Sequence, residues 1–177
     1  MSIRPIKLQS GATPTMEGAG VHLHRVFGFG DTDMFDPFLM MDDFRNDDPE
    51  QYLKGFPWHP HRGIETITYV LKGNVEHADS LGNKGMLSDG DVQWMTAGSG
   101  IIHQEMPTGN AAGQMHGFQL WANLPRDQKM CTPRYQDVKS ADIASLTDDD
   151  GTNIRVIAGD YRGYRGPVDG IDTDPIY

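Results

Sequence analysis

Apolar and polar residues alternate in short segments along most of the chain. The clearest segment covers residues 64–71, which are rich in β-branched side chains and are followed closely by Gly73. Similar strands are predicted over residues 21–27, 38–41, 75–79, 85–87, 91–95, 101–104, 116–121 and 154–157. Short strands separated by glycine-containing turns favour a β-sandwich or β-barrel over βαβ units. The pattern therefore predicts an all-β fold.

The segments between these strands are predicted to be irregular. Residues 28–37 contain three glycine or proline positions and predict a loop. The acidic stretch over residues 42–52 predicts a surface loop, and Asp89-Gly90 predicts a hairpin-type turn. One helical turn is expected over residues 141–146.

Composition changes towards both ends of the sequence. Residues 1–20 are polar and glycine-containing, so a strand there is expected at the edge of a sheet. Residues 139–153 are acidic, and the segment after them is mostly glycine, aspartate and proline. We therefore predict a barrel domain over residues 1–136, followed by an acidic linker and a C-terminal extension over residues 137–177.

Charge and cysteine content exclude several classes of protein. A net charge of −10 and a pI near 4.9 argue against binding to nucleic-acid phosphates and to an anionic membrane surface. A single cysteine, Cys131, leaves no intramolecular disulfide and suits a reducing compartment. The start of the sequence lacks an apolar signal region, and no apolar run is long enough to span a bilayer. These features predict a cytoplasmic protein.

Two segments present pairs of metal-ligating residues at alternate positions. They are His59-Pro60-His61 and His103-Gln104-Glu105. Because side chains i and i+2 of a β-strand point to the same face, each segment can direct two ligands at one point. Three imidazoles and one carboxylate suit a redox-active first-row metal better than a structural zinc site, which is commonly rich in cysteine. The sequence therefore predicts a metal centre.

The sequence around these pairs resembles the pirin family of the cupin superfamily. The matching segments are GFPWHPHRGIET at residues 55–66 and GDVQWMTAGSGIIHQEMP at residues 90–107, with DPF at 36–38 and QLWANLP at 119–125. The resemblance extends over most of residues 17–136. It implies a cupin barrel, that is, a double-stranded β-helix or jelly roll, with a short irregular C-terminal extension.

The resemblance also implies a site and an activity. It assigns His59, His61, His103 and Glu105 as ligands of one metal ion at the mouth of the barrel, most typically Fe(II), with Mn, Ni, Cu, Co and Zn as alternatives. Some pirins are associated with quercetin 2,3-dioxygenase activity, so a flavonol-like substrate and O₂ are expected, with Glu105 as catalytic base. The alternatives are a non-enzymatic iron- or redox-sensing regulator that binds a protein partner, and a metal-dependent isomerase or cupin with another small-molecule substrate.

Other histidines and carboxylates are assigned different roles. Glu65 follows His61 at a spacing that binds metal in many other cupins, but in the pirin pattern it is expected to orient a histidine or form an ion pair. His22 and His24 form an isolated pair with no second pair to complete a site. His77 and His116 lie in ordinary strand contexts and are expected to be structural.

This chain departs from the pirin pattern in one respect that bears on assembly. Pirins typically carry a second cupin-like domain, which would only be starting where this sequence stops. A barrel surface that such a domain would cover is expected to self-associate, most simply as a homodimer, because exposed apolar area is unfavourable. Residues 154–177 are expected to contribute to that contact.

Overall fold

A computed structural model describes residues 5–170, and these residues form mainly antiparallel β-strands. One short helix, α1 (Thr32–Phe35), lies between the second and third strands. The strands are β1 (Thr13–Glu17), β2 (Val21–Phe27), β3 (Phe38–Asp43), β4 (Phe56–His61), β5 (Ile64–Lys72), β6 (Val75–Asp79), β7 (Lys84–Leu87), β8 (Val92–Thr96), β9 (Ile101–Pro107), β10 (His116–Asn123), β11 (Arg134–Val138), β12 (Ala144–Thr147), β13 (Asn153–Val156), β14 (Asp160–Tyr161) and β15 (Tyr164–Arg165).

Two sheets build the barrel. A seven-stranded sheet has the order β1-β2-β3-β10-β5-β8-β11, and a four-stranded sheet has the order β4-β9-β6-β7. Apolar residues of both sheets and of the connections between them pack into one core, formed by Val21, Leu23, Phe44, Tyr52, Val70, Val75, Leu87 and Met115. The predicted all-β cupin fold is confirmed, and β1 lies at the sheet edge as expected.

A second apolar cluster covers the opposite face of the seven-stranded sheet. Ile67 of β5 and Ala122 of β10 pack there against Val138, Ile143 and Val168. Burying these side chains fixes part of the C-terminal segment on the sheet. Strand β11 pairs with β8 and runs through position 136, and the domain division at that position stays a prediction.

The segment between β2 and β3 is helical rather than irregular. A 3₁₀ turn over Phe29–Asp31 leads directly into α1, so the expectation of a loop is wrong. The Asp31 carboxylate accepts a hydrogen bond from the backbone N–H of Gly28, which satisfies a donor at the start of the turn. The rings of Phe27 and Phe35 stack with centroids 4.2 Å apart and hold the turn against the strand.

The acidic segment over residues 42–52, which begins within β3, is more buried than its composition indicates. Asp42 is the fifth residue of β3, and its carboxylate accepts a hydrogen bond of 2.8 Å from Arg25 Nε. Phe44 and Tyr52 are also buried, in the barrel core. The prediction of a surface loop is therefore wrong for these residues. Asp42 is buried because Arg25 pairs with its charge, and Phe44 and Tyr52 are buried because their aromatic side chains pack in the core.

Two further local predictions are corrected by the sheet topology. Asp89-Gly90 does not close a hairpin, because β7 and β8, which flank it, belong to different sheets. A single 3₁₀ turn over Ser140–Asp142 replaces the expected helical turn at 141–146. Residues 144–146 belong to β12, which pairs with β13.

Gly98, in the turn between β8 and β9, has a conformation and a packing that exclude a side chain. Its φ is +48°, and a Cβ atom there would clash with the backbone carbonyl oxygen of Cys131. We expect Gly98→Ala to lower the free energy of unfolding by about 1–3 kcal/mol more than Gly82→Ala does. Gly82 also has a positive φ, +94°, but open space around it. Urea denaturation of both variants measures the difference, and equal losses would contradict the prediction.

Within residues 5–170, no helix has the length and apolar character needed to cross a membrane.

Candidate metal centre

The pairing of β4 with β9 brings the two predicted ligand segments together. His59 lies directly opposite His103 in this antiparallel pair. Ligand atoms of His59, His61 and His103 lie within 4.8 Å of one another. Glu105 lies next to this group, with its Oε2 atom 3.9 Å from His103 Nε2. The structure thus brings the three histidines together and places Glu105 beside them, and the role of these four residues as metal ligands stays a prediction.

The tautomer of His59 is set by a backbone carbonyl group. His59 Nδ1 lies 2.9 Å from the carbonyl oxygen of Pro57, which can only accept a hydrogen bond. Nδ1 therefore carries the proton, and Nε2 presents a lone pair. That Nε2 atom lies 3.0 Å from His103 Nε2. Two imidazole nitrogens bound to one first-row ion at about 2.0–2.1 Å each are at most about 4.2 Å apart, so the spacing fits a shared cation.

Burial keeps two of these imidazoles neutral. Desolvation, with smaller contributions from His103 and His59, lowers the pKa of His61 to about 3. Burial also lowers the pKa of His103, although the nearby Glu105 carboxylate opposes the shift. Neutral imidazoles offer lone pairs at neutral pH, as metal binding requires. The electrostatics of the site therefore fit a cation.

The shifted pKa of His61 predicts how the stability of metal-free protein depends on pH. Below about pH 6.5 the unfolded chain binds a proton at His61, whereas the folded protein binds one only near pH 3. Stability should therefore fall by about 1.4 kcal/mol per pH unit from this group as the pH is lowered through that range. Urea denaturation of chelator-treated protein between pH 7 and about pH 4 measures the slope. His61→Gln should remove this contribution, and an unchanged slope would contradict the assignment.

Glu105 is buried, and one of its carboxylate oxygens is already bound. Thr68 Oγ1 donates a hydrogen bond of 2.8 Å to Glu105 Oε1 and lies 2.7 Å from the amide group of Gln119. The Gln119 atom at 2.7 Å is Oε1, an acceptor, and a hydroxyl has only one hydrogen, so donation to Glu105 requires the Gln119 amide to turn its NH₂ group towards Thr68. This arrangement leaves Glu105 Oε2 available on the side of the histidines.

A large cavity opens beside the histidines. Its volume is about 780 Å³, within the range of small-molecule sites. The ring of Trp121 forms one wall and contacts His61 with centroids 4.9 Å apart. Arg25, Asp42 and Gln119 add polar groups to a wall that is otherwise mainly apolar, with side chains that include Val21, Leu23, Phe29, Leu39, Met40, Phe44, Tyr52, Phe56, Ile64, Val75 and Met115. Such a cavity can enclose a planar aromatic molecule beside the histidines.

Glu65 does not act on a histidine, and that expectation is wrong. Its carboxylate Oε1 accepts a hydrogen bond of 2.7 Å from Thr96. It shares a face of β5 with Ile67 and Tyr69, which belong to the outer apolar cluster. Gly63, with φ +69°, turns the chain between β4 and β5, so side-chain alternation does not continue from His61 to Glu65.

The remaining histidines lie outside the group of three. His22 and His24 have exposed side chains on β2 and do not belong to the group formed by His59, His61 and His103. His77 is buried on β6, and its Nε2 atom lies 3.0 Å from Asp137 Oδ2. His116 is partly buried at the start of β10, and burial lowers its pKa.

Sequence reasoning missed the polar residues that surround the candidate ligands. Thr68, Gln93 and Tyr135 contact Glu105 or His103 directly or through one another. They come from β5, β8 and β11, and only the sheet register places them near the ligands. One signal was available: Gln93 is a polar residue between the apolar residues Val92 and Trp94 of its strand.

Comparison with known proteins identifies relatives of this chain. The Pirin family model matches residues 20–122. A pirin-like protein of Caulobacter vibrioides is 46% identical over 178 residues, covering 100% of this chain and 64% of the relative. A Pseudomonas aeruginosa protein provisionally named a quercetin 2,3-dioxygenase is 48% identical, covering 93% of this chain and 59% of the relative. The chain thus spans less than two thirds of these curated relatives.

Solved structures agree with the sequence comparison. A quercetin 2,3-dioxygenase from Acinetobacter baumannii superposes with a TM-score of 0.77 at 35% identity, covering 90% of this chain and 58% of that one. A bacterial pirin from Escherichia coli in complex with nickel(II) gives a TM-score of 0.55 at 30% identity, covering 73% and 55%. Both similarities extend over most of this chain.

Proposed function

The chain belongs to the pirin family, and we propose that it is an Fe(II)-dependent dioxygenase of the quercetin 2,3-dioxygenase type. Its substrates would be O₂ and a flavonol-like small molecule. The observation that carries the proposal is the convergence of three imidazoles and the Glu105 carboxylate beside a cavity of about 780 Å³. The names of the Pseudomonas aeruginosa and Acinetobacter baumannii relatives support the same activity.

His59, His61, His103 and Glu105 are the residues that would hold the metal. Three nitrogen ligands and one carboxylate suit iron, a metal that also supports reactions with O₂. The nickel(II) complex of the Escherichia coli pirin supports binding of a divalent first-row ion within the family. When bound, the ion would supply a positive charge and a redox centre beside the cavity.

The protein's own part in the reaction is orientation, exclusion of water and proton transfer. The apolar walls and the Trp121 ring would hold the flat flavonol with its 3-hydroxyl group towards the histidines. Glu105 Oε2, whose partner oxygen is held by Thr68, would accept the proton of that hydroxyl group and in doing so give up its own bond to the ion. A deprotonated flavonol is the form that reacts with O₂, so this proton transfer would start the reaction.

Metal analysis combined with a flavonol turnover assay tests the proposal. Purified protein loaded anaerobically with Fe(II) should bind one ion per chain, consume O₂ when quercetin is added and release carbon monoxide. Parallel loading with Mn(II), Ni(II), Cu(II), Co(II) and Zn(II) identifies the ion that supports turnover.

The result also separates the enzyme from the regulatory alternative. A protein that binds one metal ion but consumes no O₂ with any flavonol would contradict the proposed activity. It would leave an iron- or redox-sensing protein that binds a partner. A protein that binds no metal would contradict both functions.

A further inference from the structure

We infer that a partly buried chain of hydrogen bonds through Tyr135, Gln93 and Asp137 positions His103 as a metal ligand by fixing its tautomer. These three residues would act through His103 and would not touch the metal or the substrate. The inference rests on the metal site of the proposed function, and it does not depend on which substrate the protein oxidises.

The chain of hydrogen bonds begins at the side of His103 that faces away from the other ligands. His103 Nδ1 lies 3.3 Å from Tyr135 Oη. Tyr135 donates a hydrogen bond of 3.0 Å to Gln93 Oε1, and Gln93 Nε2 donates one of 3.0 Å to Asp137 Oδ1. The pairing of β11 with β8 places Asp137 directly opposite Gln93. Adjacent strands therefore hold the whole chain in place.

The carboxylate at the end sets the direction of every bond. An ionised carboxylate only accepts hydrogen bonds, so the NH₂ group of Gln93 must face Asp137 and the amide oxygen must face Tyr135. Tyr135 then uses its only hydrogen on Gln93 and can only accept from His103. The proton of His103 consequently lies on Nδ1. Its Nε2 atom is left with a lone pair, pointing at His59 Nε2 3.0 Å away.

Asp137 is held as an anion by its surroundings. Burial raises the pKa of Asp137, but the neighbouring His77 and Gln93 more than offset this, so the pKa lies below its usual value. His77 Nε2 approaches Asp137 Oδ2 to 3.0 Å, and the His77 ring stacks on Tyr135 with centroids 5.4 Å apart. His77 therefore contacts both Asp137 and Tyr135 and restricts their side-chain positions.

Tyr135 keeps its proton. Burial raises the pKa of Tyr135, and the negative charges of Glu105, Asp79 and Asp137 raise it further. A neutral phenol has one hydrogen to donate, as the chain requires. The tautomer of His59, unlike that of His103, is fixed by a backbone group, the carbonyl of Pro57, and needs no side-chain partner.

Two variants test the inference by metal affinity and by spectroscopy. Tyr135→Phe removes the acceptor for the Nδ1 proton and should weaken Ni(II) binding about 10–100-fold in competition with a chelator. Tyr69→Phe is the matched control: it also removes a partly buried hydroxyl, one that accepts a hydrogen bond of 3.0 Å from Arg155, but on the outer face of the sheet. The control should bind Ni(II) as the wild-type protein does.

Asp137→Asn tests the direction of the chain while preserving its shape. An amide at position 137 can donate a hydrogen bond to Gln93 Oε1. The Gln93 amide then turns its NH₂ group towards Tyr135 Oη, and Tyr135 can donate its own hydrogen to His103 Nδ1. Nitrogen-15 NMR of the metal-free protein should show His103 protonated at Nδ1 in the wild type and a gain of the Nε2-protonated tautomer in the variant. A purely structural role for Asp137 would leave the tautomer unchanged.

The outcomes separate this inference from the proposed metal site. Wild-type Ni(II) affinity in Tyr135→Phe, or an unchanged His103 tautomer in Asp137→Asn, would overturn the inference while the metal site stands. Failure of the wild-type protein to bind Ni(II) would overturn both. Weakened binding in Tyr135→Phe with normal binding in Tyr69→Phe supports the inference, whether or not the protein oxidises a flavonol.

Discussion

His61→Ala should lose its bound metal, with an affinity at least about 100-fold below that of the wild-type protein. The side chain of His61 is buried beside His59 and His103, so its removal leaves a smaller ligand set and a cavity that water can enter. Loss of a ligand should exceed the effect of removing an outer partner, which is typically about 10–100-fold. Elemental analysis of purified protein and a chelator competition titration measure the change.

His24→Ala is the matched control for this experiment. His24 belongs to the same kind of alternating pair but has an exposed side chain on β2. Its replacement should leave metal content at the wild-type value. A His61→Ala protein that retains one tightly bound ion per chain would show that the metal lies elsewhere.

Glu105→Gln should lower the rate of flavonol oxidation per bound metal ion by about 10²–10⁴-fold, the usual contribution of a general base. Glutamine has nearly the same shape, and its amide oxygen can still accept the hydrogen bond from Thr68. The NH₂ group would then replace the oxygen that faces His103, so neither a base nor an anionic ligand remains there. Oxygen uptake with quercetin, divided by metal content, measures the effect.

Glu76→Gln serves as the control for the change in charge. Glu76 is an exposed carboxylate on β6, which pairs with the strand that carries Glu105. Its replacement should change neither metal content nor oxygen uptake. A metal-loaded Glu105→Gln protein that oxidises quercetin at the wild-type rate would exclude Glu105 as the base.

Most strands were predictable because the local signals and the tertiary structure agree. Residues 64–71 are β-branched and lie in the middle of the larger sheet, so propensity and burial favour the same conformation. The turn at Asp89-Gly90 was misassigned because its sequence specifies a turn but not which strands it joins. The helical residues 29–35 depend on the Phe27–Phe35 contact and on a local hydrogen bond, neither of which alternation reveals.

The candidate ligands were predictable for a similar reason, and their partners were not. Two residues at alternate positions in one strand share a face, so the sequence alone predicts that both side chains of each histidine-containing pair point to the same side. Tyr135 lies 32 residues from His103, and its position follows from sheet register. Glu65 shows the limit of extrapolation, since one glycine turn reversed the face on which its carboxylate lies.

The place of β4 in its sheet has a consequence for the exchange of metal. β4 is an edge strand whose register with β9 shifts between Phe56 and His59. An ion shared by His59 and His103 would act as a reversible cross-link between positions 44 residues apart. Like other cross-links it would restrict the loop that it closes. Release of the ion would then be gated by local opening of β4, and amide hydrogen exchange in that strand would report metal occupancy.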